Sequence, residues 1–207
     1  MRQYEPAPRA THKKMPGLEL GLRRDVAIVA AANLGYFGVE GLVALAIGSV
    51  SLFADSVDFL EDASVNLLIL IALGWSARAR GRLGLVLAGL LMVPAAATLW
   101  TIAEKFSHPG APSPLLLSAT GLGALAVNLA CALILARHRH HGGSLSKAAF
   151  LSARNDAVAN IGIIGAGLVT LAAPSIWPDL IVGIAIAAMN ADAARAVWQS
   201  AMQERQG

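Results

Sequence analysis

Ser51-Leu-Phe-Ala-Asp55-Ser-Val-Asp58-Phe-Leu-Glu61-Asp62-Ala-Ser-Val-Asn66 heads an apolar run that continues to about Trp75 and reads as one buried helix. Four acidic residues in such a helix are expensive, because each carboxylate near a bilayer centre costs about 2.5–3.5 kcal/mol. At about 100° per residue, Asp55, Asp58, Asp62 and Asn66 share one narrow stripe, with Glu61 beside it. Oxygen ligands at i, i+3 and i+7 inside an apolar helix point to a cation site facing a bundle interior. The competing readings are Asp55 as a solvated helix end, and Asp58 and Asp62 as partners of arginines on neighbouring helices. Independent structural uses would not need a common face, which favours the cation site.

The surroundings explain why that helix is buried. Of 207 residues, 56% are hydrophobic and 14% charged, against roughly 25% charged in an ordinary soluble domain. The composition is that of an integral membrane protein. A net charge of +3 does not call for nucleic acid; the basic residues fit membrane orientation. Cys131, the single cysteine, excludes an internal disulfide and a multi-cysteine metal site. No signal peptide opens the chain. Residues 1–24 are polar and basic, with Pro6, Pro8 and Pro16, and are expected to be a disordered cytoplasmic segment.

Hydrophobic runs predict six spans at roughly 25–47, 52–75, 83–103, 115–136, 148–171 and 179–198. Each is close to the ~20 residues needed to cross the hydrocarbon core. The expected fold is an all-α membrane protein, a six-transmembrane-helix bundle over 25–198 with a short cytoplasmic tail at 199–207. Lysine and arginine cluster on one side: Arg2, Arg9, Lys13, Lys14, Arg23, Arg24, then Arg78, Arg80, Arg82, then Arg137, Arg139, Lys147, then Arg205. The other side has Lys105 alone in its loops. Both termini are therefore expected in the cytoplasm.

Helix five carries Ser152, Asp156 and Asn160 at intervals of four, on one face. In the predicted topology Asp62 lies about 15 Å below the start of its helix and Asp156 about 12 Å above the inner end of its own. That puts both near the midplane, where transporters place substrate. Arg154 points elsewhere, to snorkel or to pair with Glu61 or Glu40. Glu40, deep in helix one, reads equally as proton relay, site support or that arginine's partner. Gly162, Gly165 and Ala166 make a small-residue packing face. Asp179 and Asp192 read as interfacial caps and ion pairs. The loop Arg137-His138-Arg139-His140-His141 is either a solvated basic loop or a place to capture cations at the inner mouth.

These pieces resemble the cation diffusion facilitator family, the zinc-transporter-like metal exporters. Gly38-Val-Glu40 and Gly48-Ser-Val-Ser-Leu-Phe-Ala-Asp55 look like its helix one and the turn into helix two. Asp58-x-x-x-Asp62 matches its helix-two metal pair, and Asp156 its essential helix-five aspartate. Gly123 to Asn128 followed by the histidine loop, and Trp177-Pro-Asp179, resemble helix four and the start of helix six. The resemblance implies metal ligation by Asp58, Asp62 and Asp156. Where the family usually has histidine or aspartate, Ser152 stands as a weak fourth oxygen. Asp55 and Asn160 become supporting or pathway groups, together with Glu40; His138, His140 and His141 become accessory. The family usually carries a cytoplasmic metal-binding domain after helix six. This chain ends at Gly207, so that domain's metal sensing and dimerisation are not carried over.

The expected function is efflux of a divalent cation in exchange for protons, from the plasma (inner) membrane of a bacterium. Crowded carboxylates cannot all stay ionised without a cation, and metal binding displaces protons. No permanent cofactor is expected. The cargo is zinc, manganese, iron(II), cobalt or cadmium, and the partners are that ion, protons and the lipid bilayer, with homodimerisation through the transmembrane helices left open. Two other classes compete: a non-transporting subunit or metal sensor, and a membrane enzyme. Neither His-Glu-x-x-His nor Gly-x-Ser-x-Gly occurs, so nothing favours the enzyme.

Overall fold

Apolar helix-forming runs punctuated by glycine, proline and serine become six helices in the computed structural model, which describes residues 16–72, 76–137 and 143–206. They are α1 (Pro16–Ile47), α2 (Val50–Ala72), α3 (Ala77–Ser107), α4 (Pro114–Ala136), α5 (Gly143–Ala172) and α6 (Trp177–Gln206). Among the described residues there is no strand. Pro114 opens α4, where its fixed φ suits the first turn and its missing N–H costs nothing. Gly48, at φ +62°, ends α1 in a left-handed turn, and Ser49 N–H closes it on Ala44 O at 2.9 Å. The chain re-enters a helix at Val50.

Four helices, α1, α3, α5 and α6, have 30 to 32 residues and overrun the predicted spans. Hydropathy marks only the part of a helix that suits hydrocarbon; the helix itself runs on until something breaks it. Residues 16–24, expected to be disordered, belong to α1, which opens at Pro16 and carries Gly17 and Gly21 within its first turns. Residues 199–206, expected to be a tail, continue α6. Residues 1–15 and 73–75 lie outside the described residues. Among those described, 23–47, 114–136 and 155–172 are long and apolar enough to cross a membrane.

The bundle is polar within and apolar without. Asn33, Glu40, Ser51, Asp55, Asn160 and Asp179 have no exposed surface, while Leu42, Leu115 and Trp100 are more than 70% exposed. Water would favour the reverse, and lipid favours this arrangement. The centre is α2, which packs against all five other helices. Its Leu52 and Ala54 join Ala44, Leu117, Ile163 and Ile186 in the core. Close approach is set by Gly121, Gly167 and Gly183. A Cβ at Gly183 would come within 2.9 Å of the backbone of Val50 and Ser51. The predicted small-residue face is only partly used: Ala166 is buried, but a Cβ on Gly165 would meet nothing.

Asp179 is a cap, as its position suggested, but it caps α2 rather than its own helix. Its carboxylate accepts from Val50 N at 2.9 Å, Ser51 N at 3.1 Å, and the hydroxyls of Ser49 and Ser51 at 2.6 Å each. Two of the unpaired N–H groups that open any helix are thereby satisfied. Lys105 of α3, 6% exposed, donates to Gly48 O and stands 3.8 Å from Asp179. The α1–α2 turn, the end of α3 and the start of α6 are thus tied at one point.

Asp179→Ala should lower the stability of the folded bundle by about 3 kcal/mol, since it strips the cap and leaves the buried Lys105 without its counter-charge. Thermal unfolding in detergent would show this against Asp192→Ala, whose carboxylate is exposed and whose loss should be within about 0.5 kcal/mol of neutral. Equal melting temperatures would remove the clasp as a stabilising element.

Candidate metal site

The acidic stripe of α2 turns inward as its helical period requires. Asp55 is fully buried, Glu61 is 8% exposed, and Asp58 and Asp62 are half-buried. On α5, Asp156 is 8% exposed and Asn160 is fully buried. A pocket of about 80 Å³ opens between α2, α5 and α6, lined by Asp58, Asn155, Asp156, Ala159, Ile186, Met189 and Asn190. That is room for an ion with part of its water shell, since one water needs roughly 10–15 Å³ on this measure.

Asp58 and Asp156 meet there, their carboxyl groups within hydrogen-bonding reach of each other. Asp62 acts on both electrostatically but does not line the pocket. Depth along the helices places Asp62 and Asp156 at a similar level; Asp156 meets Asp58, one turn nearer the α1–α2 end than Asp62. Among the described residues, no three acidic, histidine or cysteine side chains are gathered into a ready-made ligand set. The side chain of Ser152, and His138, His140 and His141, lie outside the described residues.

Neutral donors near the acids are spent on main-chain carbonyls. Asn160 Nδ2 bonds Asp156 O at 2.7 Å, Asn66 Nδ2 bonds Asp62 O at 2.8 Å, and Asn190 Nδ2 bonds Ala54 O at 2.9 Å. Ser56 and Ser64 donate to Phe53 O and Leu60 O. None of these bonds reaches a carboxylate oxygen. Among the described hydrogen bonds, the amides and hydroxyls beside the acids are therefore not their donors.

Reading the sequence for acids missed what α6 brings. Ile186 and Met189 form the apolar wall, and Asn190 fastens α6 to α2 beside the pocket. A lone asparagine on an otherwise apolar stretch, Ile181 to Met189, was the available signal. Asn33 was missed likewise; it is fully buried on α1, where Cys131 of α4 approaches its Oδ1 at 3.6 Å.

The family model for the cation efflux transmembrane domain matches residues 26–204, which takes in both faces of the pocket and every helix. No curated protein matches the chain.

Proposed function

The chain belongs to the cation efflux family, and on that premise we propose that it carries a divalent metal cation out of the cytoplasm in exchange for protons. The observation that carries this reading is the small pocket in which Asp58 of α2 faces Asp156 of α5, inside a bundle whose outer surface is apolar. Asp58, Asp62 and Asp156 are the ligands in this reading, with Ser152 as a fourth oxygen. Asp55, Asn160 and Glu40 support or extend the path, and the histidines at 138, 140 and 141 collect ions at the inner mouth.

All six helices are read as spans, with both termini cytoplasmic, in a bacterial inner membrane. Burial of Lys105 supports that orientation. The connections 108–113 and 173–176 carry no lysine or arginine, so the α1–α2 end is the positive-poor side.

Exchange follows from the site's chemistry. Carboxylates bind metal only when deprotonated, so an arriving ion expels protons and a departing ion must be replaced by them. A bundle that exposes the pocket alternately to each side then couples the two flows. An oxygen-only site suits harder ions than one containing imidazole. Manganese, iron(II) and cobalt should therefore compete well with zinc. Homodimerisation through the transmembrane helices remains compatible with this arrangement.

Proteoliposomes holding the purified chain, given a panel of divalent ions and an imposed pH gradient, test the function. Asp58→Ala, Asp62→Ala and Asp156→Ala should each cut uptake at least tenfold while the protein still inserts; Glu61→Gln, off the pocket, should cost much less. Normal transport by the Asp58 or Asp156 variant would sink the reading. Gradient-driven uptake by none of the ions would instead favour a non-transporting subunit or sensor.

Two finer outcomes use the same assay. Ser152→His should shift preference toward zinc and cadmium relative to manganese by about tenfold or more; an unchanged profile means that position does not face the ion. Replacing His138, His140 and His141 together should alter apparent affinity or rate but not abolish transport, since a loop that only concentrates ions cannot set coupling.

A further inference from the structure

We propose that Glu40 of α1 and Asp55 of α2 form a second divalent-cation site, nearer the α1–α2 turn than the Asp58–Asp156 pair. Both side chains have no exposed surface, and all four carboxylate oxygens lack a hydrogen-bond partner. The two carboxyl groups lie within reach of each other. They are brought together where α1 and α2 pack closely: a Cβ on Gly41, next to Glu40, would touch Ser56, next to Asp55, at 3.6 Å.

Donors that might have satisfied them are committed elsewhere. Tyr36, one turn before Glu40, gives its hydroxyl hydrogen to Thr120 O at 2.6 Å and stacks its ring at 5.0 Å from that of Phe59. Ser56 donates to Phe53 O. A buried carboxylate with no donor is among the costliest groups a fold can hold. A pair of them pointing at one another is worse, unless a proton or a cation sits between.

Charge counting points the same way. Glu40, Asp55, Asp58, Asp62 and Asp156 place five carboxylates on the facing sides of α1, α2 and α5. With all five ionised, one divalent ion at the pocket leaves three of those charges uncompensated; a second, between Glu40 and Asp55, leaves one. Asp55 is about 4.5 Å along the helix axis from Asp58 and about 10 Å from Asp62, so two ions have separate ligands. Glu40 and Asp55 supply up to four oxygens, and water would complete the shell of a hard ion such as manganese. On the transport reading this is the station next to the release side, but occupancy there does not depend on turnover.

The test counts Mn²⁺ bound to the full chain in detergent by equilibrium dialysis, with free ion read by electron paramagnetic resonance. Wild type should bind two ions, the second more weakly because of repulsion. Glu40→Gln with Asp55→Asn should bind one. Asp62→Asn with Asp156→Asn should also bind one, held by the upper pair. Equal counts for wild type and a folded Glu40→Gln, Asp55→Asn variant overturn the second site. Should that variant fail to fold, the Asp62→Asn, Asp156→Asn variant decides: one ion retained supports the site, and none overturns it. Two ions retained there would count against the transport site of the preceding section while leaving this one standing.

Discussion

A carboxylate removed from water must find a proton, a donor or a cation, and this bundle is built around several that the described residues do not satisfy. The cost of each, several kcal/mol even after relaxation, explains why α2 is central. A helix bearing Asp55, Asp58, Glu61 and Asp62 cannot show that side to lipid. It must be wrapped, and α2 touches all five other helices. The apolar exterior and polar interior are two views of that one requirement.

The clasp at Asp179 shows the contrasting solution. There a buried carboxylate is saturated: two main-chain N–H groups, two hydroxyls and a lysine surround it. Nothing is left over for a ligand, and Asp179 reads as structure. Glu40 and Asp55, equally buried, have no donor but each other among the described residues. Burial alone does not separate a ligand from a brace in a membrane; the number of spent lone pairs does.

Much of this was legible beforehand. The acidic stripe is periodic, and period fixes a face whatever the neighbours. Asp156 and Asn160 were visible as polar groups in a run too apolar to tolerate them without reason. What composition could not show was which carboxylate meets which, because that depends on how α2 and α5 pack against each other, and a face read from period fixes direction but not the register between two helices. Nor could it show that Lys105, taken as a stray charge in a loop, is a buried brace in the last turn of α3. Asn190 stayed hidden because a single amide among apolar residues predicts burial but not a partner. The described structure is silent on Ser152's side chain and on the histidine loop, so those rest on the sequence and the family resemblance.

The way the donors are spent bears on how such a site could remain selective. Ser56, Ser64 and Asn66 of α2, Asn160 of α5 and Asn190 of α6 bond carbonyls of their own helix or of the neighbour they pack against. Had they turned toward the acids, the empty site would be comfortable, and a metal ion would have to compete with those hydrogen bonds. With them turned away, the empty site is strained by repulsion and desolvation, and only positive charge relieves it. A proton or a metal ion can do so; a water molecule relieves it much less. On the exchange reading, this makes the unloaded, unprotonated bundle the least populated state. A transporter whose empty carrier is rare returns mainly with protons aboard, and that is the condition under which one flow drives the other rather than leaking past it.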